Sequence, residues 1–252
     1  DHCQDYSLVG KGVMHEGYWS TVLGLPGWPA AGEEIIVQRN ALLTEVTGTP
    51  IHCQHLSTAG SVRVLRDARR RGLPLSGEVC PHHIMLTDEV IRGFNTNFKM
   101  NPPLRSQEHV DALIEGIADG TITILASDHA PHCGYEKEVE FDQAPFGILG
   151  LETELGLFLD LLIHKRKAIS LARLIELYTA NPAKLLGLDR GTLSTGAPAL
   201  AVAKEKPLFE ISLAECSLHR TIFDGKLDNL YNTPGNPTGK VLPGGGMGAL
   251  GG

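Results

Sequence analysis

The sequence predicts an α/β fold, a parallel sheet with helices outside it, either doubly wound or closed into a (β/α)8 barrel. Three observations carry this. Short apolar runs alternate with amphipathic stretches from about Thr47 to Gly187. The helical stretches carry recognisable caps and stops. Metal-ligating residue types stand at the ends of the apolar runs, and the C-terminal strand ends form the reactive face of such folds. Only about four or five strand–helix units can be counted where a barrel needs eight, although 252 residues would suit a whole barrel.

Taken in order, Pro50 to Leu56 reads as a strand ending in polar residues. Ser57 or Thr58 caps a helix running to about Arg71, because Val62, Leu65 and Ala68 recur at helical spacing, and Gly72 stops it. A second strand spans Leu73 to Cys80 and runs into Pro81-His82-His83. Thr87-Asp88-Glu89 starts a short helix, and Phe98 to Asn101 is a brief extended piece broken by Pro102-Pro103. A helix from about Gln107 to Ala118 precedes the buried strand Ile122 to Ala126, which delivers Ser127-Asp128-His129 at its end. The Gly- and acid-rich stretch from Cys133 to Gly150 reads as a long loop. Helices follow over Leu151 to His164 and Ser170 to Tyr178. A last one is capped by Asn181, has Pro182 at its first position and runs through Leu188. Beyond Gly191 the pattern loosens, and residues 242–252 are Gly-rich and read as disordered.

Composition narrows the function. With 42% hydrophobic and 20% charged residues the chain is globular, with no apolar stretch near the ~18 residues of a membrane span. A net charge of -7 leaves no basic face for a phosphate backbone, so nucleic acid is not an expected partner. Five scattered cysteines without CxxC spacing argue against a zinc ribbon or a disulfide framework and fit a reducing cytoplasm. The chain opens on Asp1, directly in a motif, without a signal-peptide pattern. The expectation is a missing beginning, with the uncounted units before Asp1.

His2, His55 and Asp128 fall at strand ends. Imidazole plus carboxylate suits Zn²⁺ or a similar divalent ion, which brings the pKa of bound water near neutrality. An Asp beside such a water can also take its proton. Against this stands the ordinary role of a strand-end His as a hydrogen-bonded structural residue, which applies to His52, His82 and His83 as well. Strand alternation puts His52 and His55 on opposite faces, so at most one enters the site. His15, His109, His164 and His219 read as surface or structural. Cys3, Cys53 and Cys133 read as small buried hydrophobes, and Arg69-Arg70-Arg71 as a solvated helix end. Composition and spacing thus point to a metal hydrolase and say nothing of its substrate.

The strings at His2–Asp5, Gly24–Pro29, His55–Val62, Glu78–His83, Lys99–Arg105, Ser127–His132 and Ala144–Thr153 stand in an order that resembles one family, the dihydroorotases of the long bacterial type in the amidohydrolase superfamily. His2-Cys3-Gln4-Asp5 resembles HCED, and Gly24 to Pro29 resembles the GLPG segment. His55 to Val62 resembles HVSTxxSV, and Glu78 to His83 resembles EVTPHH. Lys99 to Arg105 carries the NPPLR string, Ser127 to His132 the DHAPH string, and Ala144 to Thr153 the PFGxxGLET string. The resemblance covers roughly residues 1–190.

It implies a metal-dependent (β/α)8 hydrolase barrel of which residues 1–190 are the C-terminal portion. Residues 191–241 would be a divergent remnant of a small β domain, and 242–252 a disordered tail. It implies two zinc ions in the complete protein, with His2 and His55 on the second and Asp128 on the first, where Asp128 is also the acid/base. Asn101 and His132 would hold the substrate carboxylate, and backbone groups at Phe146 and Gly147 would cover the ring. The implied reaction is reversible hydrolysis of (S)-dihydroorotate to N-carbamoyl-L-aspartate in pyrimidine biosynthesis, with a homodimer or an association with aspartate transcarbamoylase. Three departures stand out. The family's HxHxR string and metal-bridging residue do not occur in these 252 residues, so little activity is expected of them alone. Gln4 replaces the family's Glu, and Ala197 to Leu200 begins like GAPADL but lacks its Asp. Two other readings are a hydantoinase, dihydropyrimidinase or allantoinase, and a catalytically dead structural partner of aspartate transcarbamoylase.

Overall fold

In the computed structural model, which describes residues 1–189 and 191, five short strands are seen. β1 (Met14–His15) pairs in parallel with β2 (Gly27–Trp28). β3 (Ile51–Cys53), β4 (Leu75–Val79) and β5 (Ile124–Leu125) form a second sheet, also parallel, in the order β3-β4-β5. Sequential order with helices in each crossover is the local topology of a barrel arc; a doubly wound sheet would reverse its order at a switch point. The expectations for residues 191–241 and 242–252 lie outside the described residues.

The crossovers form where the sequence pattern puts them. Between β3 and β4, the helix Ala59–Arg70 is capped by Thr58, whose hydroxyl accepts from Ser61 N at 3.2 Å. Val62, Leu65 and Ala68 are buried, while Arg69 and Arg70 are exposed at the helix end, where a cation suits the dipole. The helix Gln107–Ala118 precedes β5 and buries Val110, Leu113, Ile114 and Ile117. These side chains join Cys53, Leu56 and Val79 from the sheet side and Phe158, Leu162, Leu174 and Leu177 from the later helices in one core. Each fully buried Leu or Ile there contributes roughly 1.5–3 kcal/mol. A second apolar cluster, built on Met14, Leu86, Phe98, Met100, Leu104, Phe141 and Ile148, packs the loops at the strand ends.

Several expectations are corrected. The stretch before Thr47, for which no element was expected, holds the helix Ala31–Thr47. Its buried Ile36, Val37, Asn40, Ala41 and Thr44 make one face, and Gly48 (φ 67°) ends it in the left-handed region. Its inner face mixes Asn and Thr with apolar residues, which blurs the periodicity. Phe98, expected to be extended, closes a tight turn at Thr96–Phe98, and the extended backbone begins at Lys99. The Cys133–Gly150 loop includes a helical turn, Gly134–Lys137. The helix expected over Leu151–His164 begins at Glu154 and widens into a π-helical stretch, Leu159–Lys165. Asn181 is not a cap: the last helix is Ala180–Leu185, and Asn181 Nδ2 donates instead to the Thr123 carbonyl at 2.8 Å, tying the helix to the start of β5. Cys133 is exposed, whereas Cys3, Cys53 and Cys80 are buried.

Gly77, in the middle of β4, shows how tightly the crossover helix seats. A Cβ there would lie 2.6 Å from Leu56 Cδ1 and from Leu65 Cδ2, both on fully buried side chains. Gly77→Ala is therefore expected to lower stability by about 1–3 kcal/mol in a urea melt. An unchanged midpoint would mean that Leu56 and Leu65 can move aside.

Candidate active site

The loop after β3 leads to the site. Strand geometry stops at Cys53, and His55 takes φ 34°, a left-handed conformation that costs a non-Gly residue of order 1–3 kcal/mol. The alternation expected to separate His52 from His55 therefore ends before it reaches His55. The two rings do separate: His52 is held by β4, with Nδ1 2.8 Å from Ser76 Oγ and Nε2 3.0 Å from Glu78 Oε2. His55 instead meets His2 edge-on, ring centroids 4.5 Å apart. After β5, Asp128 also takes a left-handed conformation, φ 47°. Two of the four non-Gly residues with positive φ among those described are thus candidate ligands, and such strain gathers at functional sites.

The loop carrying His55 is pinned by a buried carboxylate. Glu33, in the first turn of the helix Ala31–Thr47, accepts from the backbone N–H of Ser57 at 3.1 Å and of Thr58 at 3.2 Å. It also accepts from the hydroxyls of Ser57, Thr58 (3.2 Å) and Ser61 (2.6 Å). Arg105, equally buried, donates to Ser57 Oγ at 3.1 Å, to the Trp28 carbonyl at 2.8 Å and to His15 Nδ1 at 3.2 Å. Burial opposes the Glu33 charge, but Arg105 and the hydrogen bonds from Ser57 and Ser61 outweigh it and hold the carboxyl below its ordinary range. Burial takes Arg105 down to about 10. His15, accepting from Arg105, is neutral at Nδ1, and burial with the Arg105 charge lowers it to about 3.

Electrostatics around the candidate ligands favour their metal-binding forms. Burial, and for His2 also the neighbouring His55, lower both imidazoles below their ordinary value, so they stay neutral. Asp128 is raised by burial and by the charge of Glu78, with His2 opposing. Two neutral imidazoles and a half-buried carboxylate are a donor set that fits a divalent ion. Among the described residues, the trio whose ligand atoms all lie within 4.8 Å of one another is not this one but the fully buried Cys80, His82 and His83.

The remaining predicted residues gather beside this group. Asn101 Nδ2 donates to Gln4 Oε1 at 3.3 Å, two residues from His2, and its Oδ1 is buried without a partner. His132 Nε2 donates to the Phe146 carbonyl at 2.9 Å, and Gly147 N donates to the Lys99 carbonyl at 2.9 Å. A Cβ on Gly147 (φ 149°) would lie 2.5 Å from the Ala130 carbonyl. Phe146 lies edge-on to Trp28, centroids 5.9 Å apart, with Lys99 Nζ 4.7 Å above its ring. The bridge His129↔Ile148 ties this turn to the Asp128 segment. Sequence reading assigned no role to Glu33, Glu78 or Arg105. Glu78 and Arg105 lie inside quoted motifs, whereas a first-turn Glu reads as ordinary helix chemistry.

Comparison with known proteins agrees with the fold. Residues 38–227 match the model of the amidohydrolase family, and the chain belongs to that family. More particularly, it is 52% identical over 198 residues to a dihydroorotase of Pelotomaculum thermopropionicum and 51% identical over 195 residues to one of Acetivibrio thermocellus. Those alignments cover 79% and 77% of this chain but 46% of each relative, so the chain spans about half the length of the curated relatives it matches. Among solved structures, an L-hydantoinase (dihydropyrimidinase) from Arthrobacter aurescens superposes with a TM-score of 0.68 at 27% identity, over 79% of this chain and 46% of that one. A dihydropyrimidinase from Brevibacillus agri NCHU1002 superposes with a TM-score of 0.68 at 22% identity, over 79% of this chain and 45% of its own, and shows the shared fold. No helix among the described residues is long and apolar enough to cross a membrane.

Glu33→Gln leaves a buried Arg105 without its counter-charge, so a loss of roughly 3–5 kcal/mol in chemical denaturation is expected. The contribution of Glu33 is complete above its unfolded pKa and is lost as pH falls through its lower folded value. The variant should therefore lack this part of the wild-type loss of stability in acid. Equal acid sensitivity in both would mean that Glu33 is not ionised in the folded chain.

Proposed function

We propose that this chain is the catalytic C-terminal portion of a dihydroorotase, which reversibly hydrolyses the cyclic amide of (S)-dihydroorotate to N-carbamoyl-L-aspartate in pyrimidine biosynthesis. The observation that carries the reading is the 52% identity to a protein named dihydroorotase, against 27% to a hydantoinase of the same fold. The ring contact between His2 and His55 and the electrostatic coupling of His2 to Asp128 support it. His2 and His55 would hold one of the two zinc ions of the complete protein, and Asp128 would be a ligand of the other. When bound, such an ion activates water and polarises a carbonyl.

The chain's own residues supply the rest. The Asp128 carboxylate takes the proton of the attacking water and passes it to the departing ring nitrogen. Burial, which favours its protonated form, suits it to that second role. The half-buried Asn101 amide and the His132 ring orient the substrate carboxylate, and the Phe146–Gly147 backbone lies over the ring, an orientation effect that lowers the entropic part of the barrier. A small-molecule substrate, a cytoplasmic location, and a homodimer or an association with aspartate transcarbamoylase belong to the same reading.

The test uses the complete gene product loaded with Zn²⁺ and assayed for ring opening of dihydroorotate. Asp128→Asn is expected to reduce kcat by about 10²–10⁴-fold. Opening of hydantoin or dihydrouracil with dihydroorotate untouched would transfer the protein to the hydantoinase branch. No turnover of any of these by the metal-loaded protein would favour a non-catalytic role.

A further inference from the structure

The turn Pro145–Gly147 has all three of its carbonyl oxygens occupied. His132 Nε2 takes that of Phe146 at 2.9 Å, and the Lys137 ammonium takes those of Pro145 at 2.8 Å and Gly147 at 2.9 Å. Lys137 also donates to the Thr96 carbonyl at 3.3 Å, and Thr96 Oγ1 donates back to the Lys137 carbonyl. The side chain reaches inward from the helical turn Gly134–Lys137, and the residue is only 3% exposed. An ammonium has three N–H groups, and here they meet three carbonyl oxygens. Lys99 donates to the Asp142 carbonyl at 2.9 Å, its own carbonyl accepts from Gly147 N, and its ammonium sits above the Phe146 ring.

We propose that Lys137 is a positioning residue: its ammonium clamps Pro145–Gly147 to the Thr96–Lys99 segment and so fixes, before substrate arrives, the backbone that lies over the substrate ring. The proposal rests on the reading that this turn contacts substrate. Lys137 itself touches neither the candidate metal ligands nor the reacting atoms. The charged groups that face it are the Lys99 ammonium and the Glu136 carboxylate of its own turn. Burial first, and then Lys99, push its pKa down to about 8, with Glu136 opposing. A neutral amine has two N–H groups for three carbonyls, so one contact is lost as pH rises through that value.

The experiment measures amide hydrogen exchange of the Pro145–Gly147 turn together with kcat and KM in the complete, metal-loaded gene product. Lys137→Met is expected to speed exchange at Gly147 by at least about tenfold, the loss of one hydrogen bond from a charged donor, and to raise KM by a similar factor with metal content unchanged. Lys137→Arg, which stays charged, should restore protection and abolish the loss of Gly147 protection that the wild type shows between about pH 7 and about pH 9. A folded Lys137→Met protein with wild-type exchange and KM overturns the proposal. If that variant does not fold, wild-type Gly147 protection that is constant across the same pH range, after correction for intrinsic rates, overturns it equally. Faster exchange in a protein that opens no cyclic amide would uphold the clamp and reject the functional reading instead.

Discussion

The Glu33 carboxylate is sealed from solvent at the start of one helix and faces the start of another. There it ties together the Gly27–Trp28 strand through Arg105, the helix Ala31–Thr47, the Ser57–Thr58 loop and Ser61 in the helix that follows. Without it the Ser57 and Thr58 N–H groups and the Ser57 and Ser61 hydroxyls would be buried donors lacking acceptors, each costing about 1–3 kcal/mol, while the Thr58 hydroxyl would keep Ser61 Oγ at 2.8 Å. Such a network is worth its desolvation only when nearly every member is satisfied, and here only Arg105 Nη2 and Trp28 Nε1 lack a partner. The loop it fixes begins two residues after the strained His55 backbone, so the same carboxylate that orders the loop aims the imidazole.

A second layer of order surrounds the candidate substrate side. Two buried lysines bond to backbone carbonyls rather than to carboxylates: Lys137 to the Pro145 and Gly147 carbonyls of the Phe146 turn, and Lys99 to that of Asp142 just before it. The metal side is thus organised by an anion and the turn side by two cations. Asn101 joins them, on the Lys99 segment yet bonded to Gln4 beside His2.

Much of the fold was legible because local signals agreed with tertiary ones. Thr58 as a cap, Val62-Leu65-Ala68 as a buried stripe and Gln107–Ala118 as a helix all follow from periodicity and capping chemistry. Reading failed where tertiary contacts overrode local preference. Asn181 has the chemistry of a cap but is used to bind the Thr123 carbonyl, and the helix Ala31–Thr47 carries Asn40 and Thr44 on its buried face. For the site, His2, His55 and Asp128 could be picked out as ligand types at strand ends. Lys137 could not: among Glu136, Glu138 and Glu140 it reads as solvated charge, and only the folded chain turns it inward.

The central claim is that His2, His55 and Asp128 converge to bind metal, while the buried Cys80, His82 and His83 serve as core. Anomalous diffraction at the zinc edge, from crystals of the complete gene product grown with Zn²⁺, tests it most directly. A peak is expected in contact with His2 and His55 and close to Asp128. A map with density between Cys80, His82 and His83 and none at His2 and His55 would contradict it.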